Sequence, residues 1–134
     1  MKTVFLIARI LLGLLFSVSG LNGFLHFIPM GRMPTGLAGQ YIGALSQSHY
    51  LTVVFLVELI PGVLLLFNRY VPLALTVLAP VVVNIVLYHV FMEPVGLPLA
   101  IVTSILWILV AQNVRSAFVG LFQERIESSG ASRS

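Results

Sequence analysis

The chain of 134 residues contains no cysteine, and only 8% of its residues are charged. Without a thiol there is no disulfide, no thiol redox catalysis, no iron–sulfur cluster and no thiolate metal site. Little charge set against 59% hydrophobic residues and a mean hydropathy of +1.08 excludes a soluble domain. The length leaves room for about four spans of roughly 20 residues and little besides, so any chemistry has to sit in the membrane. The net charge of +3 is small, and its distribution speaks of membrane topology rather than of nucleic-acid binding.

What the chain does have is long apolar runs, read here as spans over about 4–25, 50–67, 71–91 and 97–118. The expected fold is an all-α membrane protein, a bundle of four transmembrane helices. Residues 1–127 form its single domain and 128–134 a disordered cytoplasmic tail. Ser17-Val18-Ser19 after Lys2 mimics a signal-peptide cleavage site. Yet the apolar run continues past it and Arg9 interrupts the would-be core of a leader, so a span is the better reading. Arg9 can snorkel to the inner interface. Gly13, Ser17 and Gly20 fall at i, i+4 and i+7, a narrow face of small residues that admits a close helix and offers a route to a homo-oligomer.

The only long connection is 27–49. Pro29 and Pro34 stop helix continuation at its start, and Leu37, Tyr41 and Leu45 then recur at helical spacing with Thr35 placed to cap them. Two readings stand: a short interfacial or re-entrant helix acting as a lid over the outer mouth, or a mobile surface loop. Pro61-Gly62 in the second span and Pro80 in the third should bend their helices. Short turns at 68–70 and 92–96 make neighbouring spans antiparallel, and 119–127 can prolong the last helix along the inner surface. Lys2, Arg9, Arg69, Arg115, Arg125 and Arg133 lie on one side of this arrangement and Arg32 alone on the other, so both termini are expected in the cytoplasm.

Polar side chains cluster in the outer half of these spans. Asn22 and His26 lie one turn apart on the first, Glu58 near the middle of the second, and Asn84, Tyr88 and His89 on the third. At 1.5 Å per residue Glu58 and Asn84 lie roughly 12 Å below the outer ends. Each has an ordinary reading: Asn84 as glue between helices, His26 and His89 as groups touching interfacial water, Tyr88 as a belt residue. Glu58 is harder to explain away. A carboxylate at this depth is either protonated and hydrogen-bonded, or ionised against a protonated His89 or His26, and intramembrane ionisable residues default to function. Proton handling is the role expected of it. The ligand-binding set is expected to be Asn22, His26, Asn84, Tyr88 and His89, meeting in a buried polar site. A metal site of His26, His89 and Glu58 has only weak support from the spacing, and none is expected.

Two stretches also resemble a known family. Ala8-Arg9-Ile10-Leu11-Leu12-Gly13 leading into Ser19-Gly20-Leu21-Asn22-Gly23-Phe24-Leu25-His26-Phe27-Ile28-Pro29 is similar to the first span of DoxX family proteins. The run from Leu73 through Pro80 and Asn84 to His89, with Gly96-Leu97-Pro98-Leu99-Ala100 entering the last span, resembles the same family. The resemblance covers nearly the whole chain. It implies a four-helix protein of the bacterial cytoplasmic (inner) membrane, in a family named after a small subunit linked to a thiosulfate:quinone oxidoreductase. It brings no agreed catalytic residues, and the lack of cysteine argues against any thiol-based version of the redox role.

Three functional readings follow. In the first, a quinone or similar apolar ring sits in the polar pocket, hydrogen-bonded by His89, Asn84 or Tyr88, and the chain is the membrane subunit of an oxidoreductase whose donor is a partner redox protein. In the second, the chain is a non-enzymatic module that binds membrane lipid or assembles with another membrane protein. The third, a transport path along Glu58 and the proline-broken helices, is the weakest, because four short spans lack the repeat symmetry such paths use.

Overall fold

Backbone amides buried in apolar surroundings must be satisfied within their own segment, and the apolar runs of this chain do so as helices. The computed structural model describes residues 1–29, 31–125 and 128. It contains α1 (Lys2–Leu25), α2 (Gly36–Gln47), α3 (Tyr50–Leu66), α4 (Val71–Phe91) and α5 (Leu97–Asn113), with 3-10 segments at Pro94–Gly96 and Arg115–Phe122. No strand occurs among the described residues. α1, α4 and the stretch Pro94–Asn113 are long and apolar enough to cross a membrane, and α2 with α3, bent by 87° at their junction, makes a fourth candidate. This is the architecture of a multi-pass membrane protein.

α1 packs on α3 and α5, α3 on α4, and α4 on α5, which closes a ring of four antiparallel helices. One end of the ring, the base, carries the start of α1, the α3–α4 turn and the end of α5. The other end, the mouth, carries α2. The fully buried core lies towards the base: Leu12 and Phe16 of α1, Leu65 of α3, Leu75 and Leu78 of α4 and Val110 of α5. Trp107 of α5 ties into it by donating Nε1–H to the Leu75 carbonyl at 3.0 Å.

The small-residue face of α1 is spent inside this ring. A Cβ on Gly20 would lie 2.7 Å from the Phe55 carbonyl oxygen, and one on Gly62 would lie 2.6 Å from the Ser17 nitrogen, so the α1 and α3 backbones touch along Gly13, Ser17 and Gly20. Within the chain this face packs against α3. Phe24 and Phe55 close the same contact edge to face, with centroids 6.1 Å apart. Arg9 does not stop at snorkelling: its Nη1 donates to the Leu65 and Leu66 carbonyls, supplying a cation and hydrogen bonds to the last carbonyls of α3.

Two local expectations need adjusting. The sequence pattern carries the last span to about 118, but α5 ends at Asn113, where Val114 (φ −116°, ψ 22°) leaves the helical region and the chain tightens into the 3-10 segment. Thr35 holds the N-cap position of α2 in extended conformation, but its hydroxyl makes no capping bond. Of the expected tail, all but Ser128 falls outside the described residues. The 27–49 connection, for which helix and loop were both open, contains a regular helix joined to α3 through His49 in the left-handed region (φ 63°).

Candidate groove beneath the second helix

Three elements build the site. α2 lies across the mouth and drops Tyr41 towards α4, α3 presents residues between Tyr50 and Glu58, and α4 presents Asn84 and, one turn on, the adjacent Tyr88 and His89. Between them runs a cavity of about 420 Å³ whose walls are mostly apolar, with Val54, Val57, Val81 and Ile85 among the lining residues. Its volume falls within the roughly 300–1,000 Å³ of typical small-molecule sites. Pro80 and Val57 line it too. Pro61 lacks the N–H that would otherwise bond the Val57 carbonyl, so a backbone acceptor is released at the wall.

The polar groups are coupled in pairs. The Tyr41 hydroxyl accepts from Asn84 Nδ2 at 3.1 Å and lies 3.3 Å from Asn84 Oδ1. The Tyr41 ring stands 5.6 Å from that of Tyr88, and Tyr88 meets His89 edge to face at 5.0 Å. Tyr88 donates its hydroxyl to Glu93 Oε2 at 3.3 Å, and His89 Nδ1 lies 2.9 Å from the Glu93 carbonyl. A carbonyl only accepts, so the ring proton sits on Nδ1, and in the neutral ring Nε2 is left as an acceptor. Gly96 backs the His89 ring so closely that a Cβ there would overlap it. Glu58 is buried, and Ser19 of α1 donates its Oγ–H to Oε2 at 2.9 Å.

Of the sequence-predicted set, the structure brings Glu58, Asn84, Tyr88 and His89 together around one cavity. It does not add Asn22 or His26 to that lining. The buried Asn22 amide staples the connection after α1, accepting the Ile28 N–H at Oδ1 (2.7 Å) and donating Nδ2 to the Ile28 carbonyl (3.3 Å). His26 forms the left-handed end of α1 (φ 53°), and its side chain is exposed. The partner of Glu58 is a serine and not a histidine. The expectation of a site buried among three spans also changes. The α4 residues that face the ring interior are Ala74, Leu75, Leu78 and Val82, and Asn84 falls off that stripe, exposed on the flank between α3 and α4. The site is a lateral groove roofed by α2.

Sequence reasoning missed three participants. Tyr41 enters the sequence reading as one of the regularly spaced residues of the connection, Ser19 in a cleavage-like triplet and in the family-like first span, and Glu93 as part of the 92–96 turn. The signal for Glu93 was present, because i+4 and i+5 from His89 and Tyr88 lie within reach at a helix end. Ser19 and Tyr41 are 39 and 43 residues from their partners, and no local spacing announces that. Among the described residues no group of three His, Asp or Glu side chains is arranged to hold a metal ion. Compared with protein-family models, curated proteins and solved structures, the chain matches none of them.

Proposed function

We propose that this chain binds a small, flat, apolar molecule bearing carbonyl or hydroxyl groups, a quinone foremost, in the groove beneath α2. In this reading it serves as the membrane subunit of an oxidoreductase system supplied with electrons by a partner redox protein. The supporting observation is the cavity of about 420 Å³ in which apolar walls meet a mixed set of hydrogen-bonding groups. Asn84 Nδ2 and the Tyr41 hydroxyl are donors suited to a carbonyl oxygen, and His89 Nε2 and the Glu58 carboxylate are acceptors suited to a hydroxyl. Such a ring would supply two-electron, two-proton chemistry. Glu58 is placed to hold or release a proton at the cavity side, and Ser19 keeps its carboxyl oriented. Both termini lie in the cytoplasm of a bacterial inner membrane and α2 rests at the outer interface, in line with the one-sided distribution of Lys and Arg. The similarity to DoxX proteins noted in the sequence points the same way.

One observation favours a second reading. Tyr41 with Asn84, Tyr88 with the Glu93 carboxylate and His89 with the Glu93 carbonyl satisfy one another without any ligand. That economy suits a non-enzymatic module for lipid binding or membrane-protein assembly. Mass spectrometry of the small molecules extracted from protein purified in mild detergent separates the two. A quinone or related carbonyl compound should be present in the wild type and lost in both Asn84→Leu and His89→Ala. Phospholipid alone in all three supports the second reading, and a wild type with no such compound overturns the first.

A further inference from the structure

The base of the bundle holds a second cavity, of about 330 Å³, between the first turns of α1, the α3–α4 turn and the last turn of α5. Its polar wall consists of Lys2, Arg9, Asn68 and Asn113, and no acidic residue lines it. Lys2 and Arg9 come from α1, Asn68 from the α3–α4 turn and Asn113 from the end of α5, so the fold brings them to one cavity. Arg9 is anchored through Nη1 to the two carbonyls that end α3, which fixes its guanidinium at the cavity wall. Asn68 sits in the left-handed region (φ 54°) in the turn that reverses the chain into α4. α4 begins beside it, adding the positive end of a 21-residue helix. Two cations and two amides lining one cavity with no carboxylate among them suit a compact anion with several acceptor oxygens, which is the chemistry of a phosphate. The rest of the wall is apolar, and Phe5 and Leu6 continue it along the outer face of α1, where Leu6 is 47% exposed. A headgroup held by the cations would lay its acyl chains on that face.

We infer that this cavity binds the phosphodiester of an anionic phospholipid, a site distinct from the groove at the mouth. Native mass spectrometry of the full chain released from detergent micelles tests it, with titration by phosphatidylglycerol, by phosphatidylcholine of the same acyl chains, and by inorganic phosphate. The wild type should retain phosphatidylglycerol in preference to phosphatidylcholine. Lys2→Gln should weaken that retention about fivefold, the usual worth of one basic residue at a membrane surface. Asn113→Leu should weaken it as well without changing the charge, and Arg125→Gln, which removes a charge outside the cavity, should leave it unchanged. Arg9→Gln is set aside as the primary variant because Arg9 also ends α3. Equal retention of the two lipids overturns the assignment, and so does equal weakening by Lys2→Gln and Arg125→Gln, the mark of a diffuse field. Binding of inorganic phosphate that displaces the lipid fully would assign the site to free phosphate and overturn the lipid.

Discussion

Replacing Gly20 by alanine should loosen the whole α1–α3 contact. The added Cβ would lie 2.7 Å from the Phe55 carbonyl oxygen and 2.8 Å from both the nitrogen and the Cβ of Leu59. Backbone atoms cannot swing aside as a side-chain tip can, so α1 has to retreat. Ordinary contact begins at 3.4 Å, which sets the retreat near 0.7 Å at the closest atom. A gap of about 0.5–1 Å forfeits a quarter to a half of the dispersion energy of each contact it opens. Overpacking of this kind costs about 1–3 kcal/mol, while the better helix propensity of alanine returns about 0.5–1 kcal/mol. The net expectation from the mid-values of these ranges is a loss of about 1 kcal/mol, read from unfolding of detergent-solubilised protein by dodecyl sulfate and followed by circular dichroism. Gly43→Ala is the control, since nothing lies within 4 Å of a Cβ there and only the propensity gain remains. Gly13→Ala, with its nearest contacts at 3.0 Å, should fall between the two. A Gly20→Ala protein as stable as the wild type would refute the reasoning, because the close approach of α1 and α3 would then not exist.

Three further outcomes are expected. The buried Ser17 Oγ has no hydrogen-bond partner among the described residues, so Ser17→Ala should be neutral or stabilising by up to about 1 kcal/mol in the same titration; a clear loss would reveal a partner. Trp107→Phe removes the bond to the Leu75 carbonyl and should cost about 0.5–1.5 kcal/mol, and an unchanged midpoint would mean that the bond contributes nothing. Gly96→Ala should push the His89 ring off the Glu93 carbonyl, visible as displaced ring signals in spectra of 15N-histidine-labelled protein; unmoved signals would contradict the close backing of the ring by Gly96.

The spans were legible because their signal is composition averaged over some 20 residues, which tolerates error at the ends. Helix ends are set by single residues, and Val114 carries no proline or glycine to mark the place where α5 stops. The polar set was legible by depth, since Glu58, Asn84, Tyr88 and His89 are conspicuous in apolar runs. Depth along a span carries no information about which way a side chain points around the helix axis. That is why Asn84, at the right height, turned out to lie on the flank, and why Asn22, also in the mouth-side half, turned out to staple a turn. Partners on other elements, Ser19 and Tyr41, follow from how the helices are turned against one another, and for α1 against α3 the close approach runs through Gly13, Gly20 and Gly62.

The 17 residues of α3 span about 25 Å at 1.5 Å per residue, whereas the hydrocarbon core of a typical bilayer is about 30 Å thick. α1 and α4, with 24 and 21 residues, are long enough to cross it, and α5, with 17 residues of its own, reaches 20 with the 3-10 turn that precedes it. In a bilayer of that thickness the shortfall would fall at the flank that carries the groove, and it would be met by lipid drawing in around α3 or by α2 settling below the headgroups. Either adjustment would set Tyr50 and Val53, which line the groove, level with acyl chains instead of water. A molecule reaching the groove would then arrive by lateral diffusion within the bilayer, and its occupancy should respond to acyl-chain length.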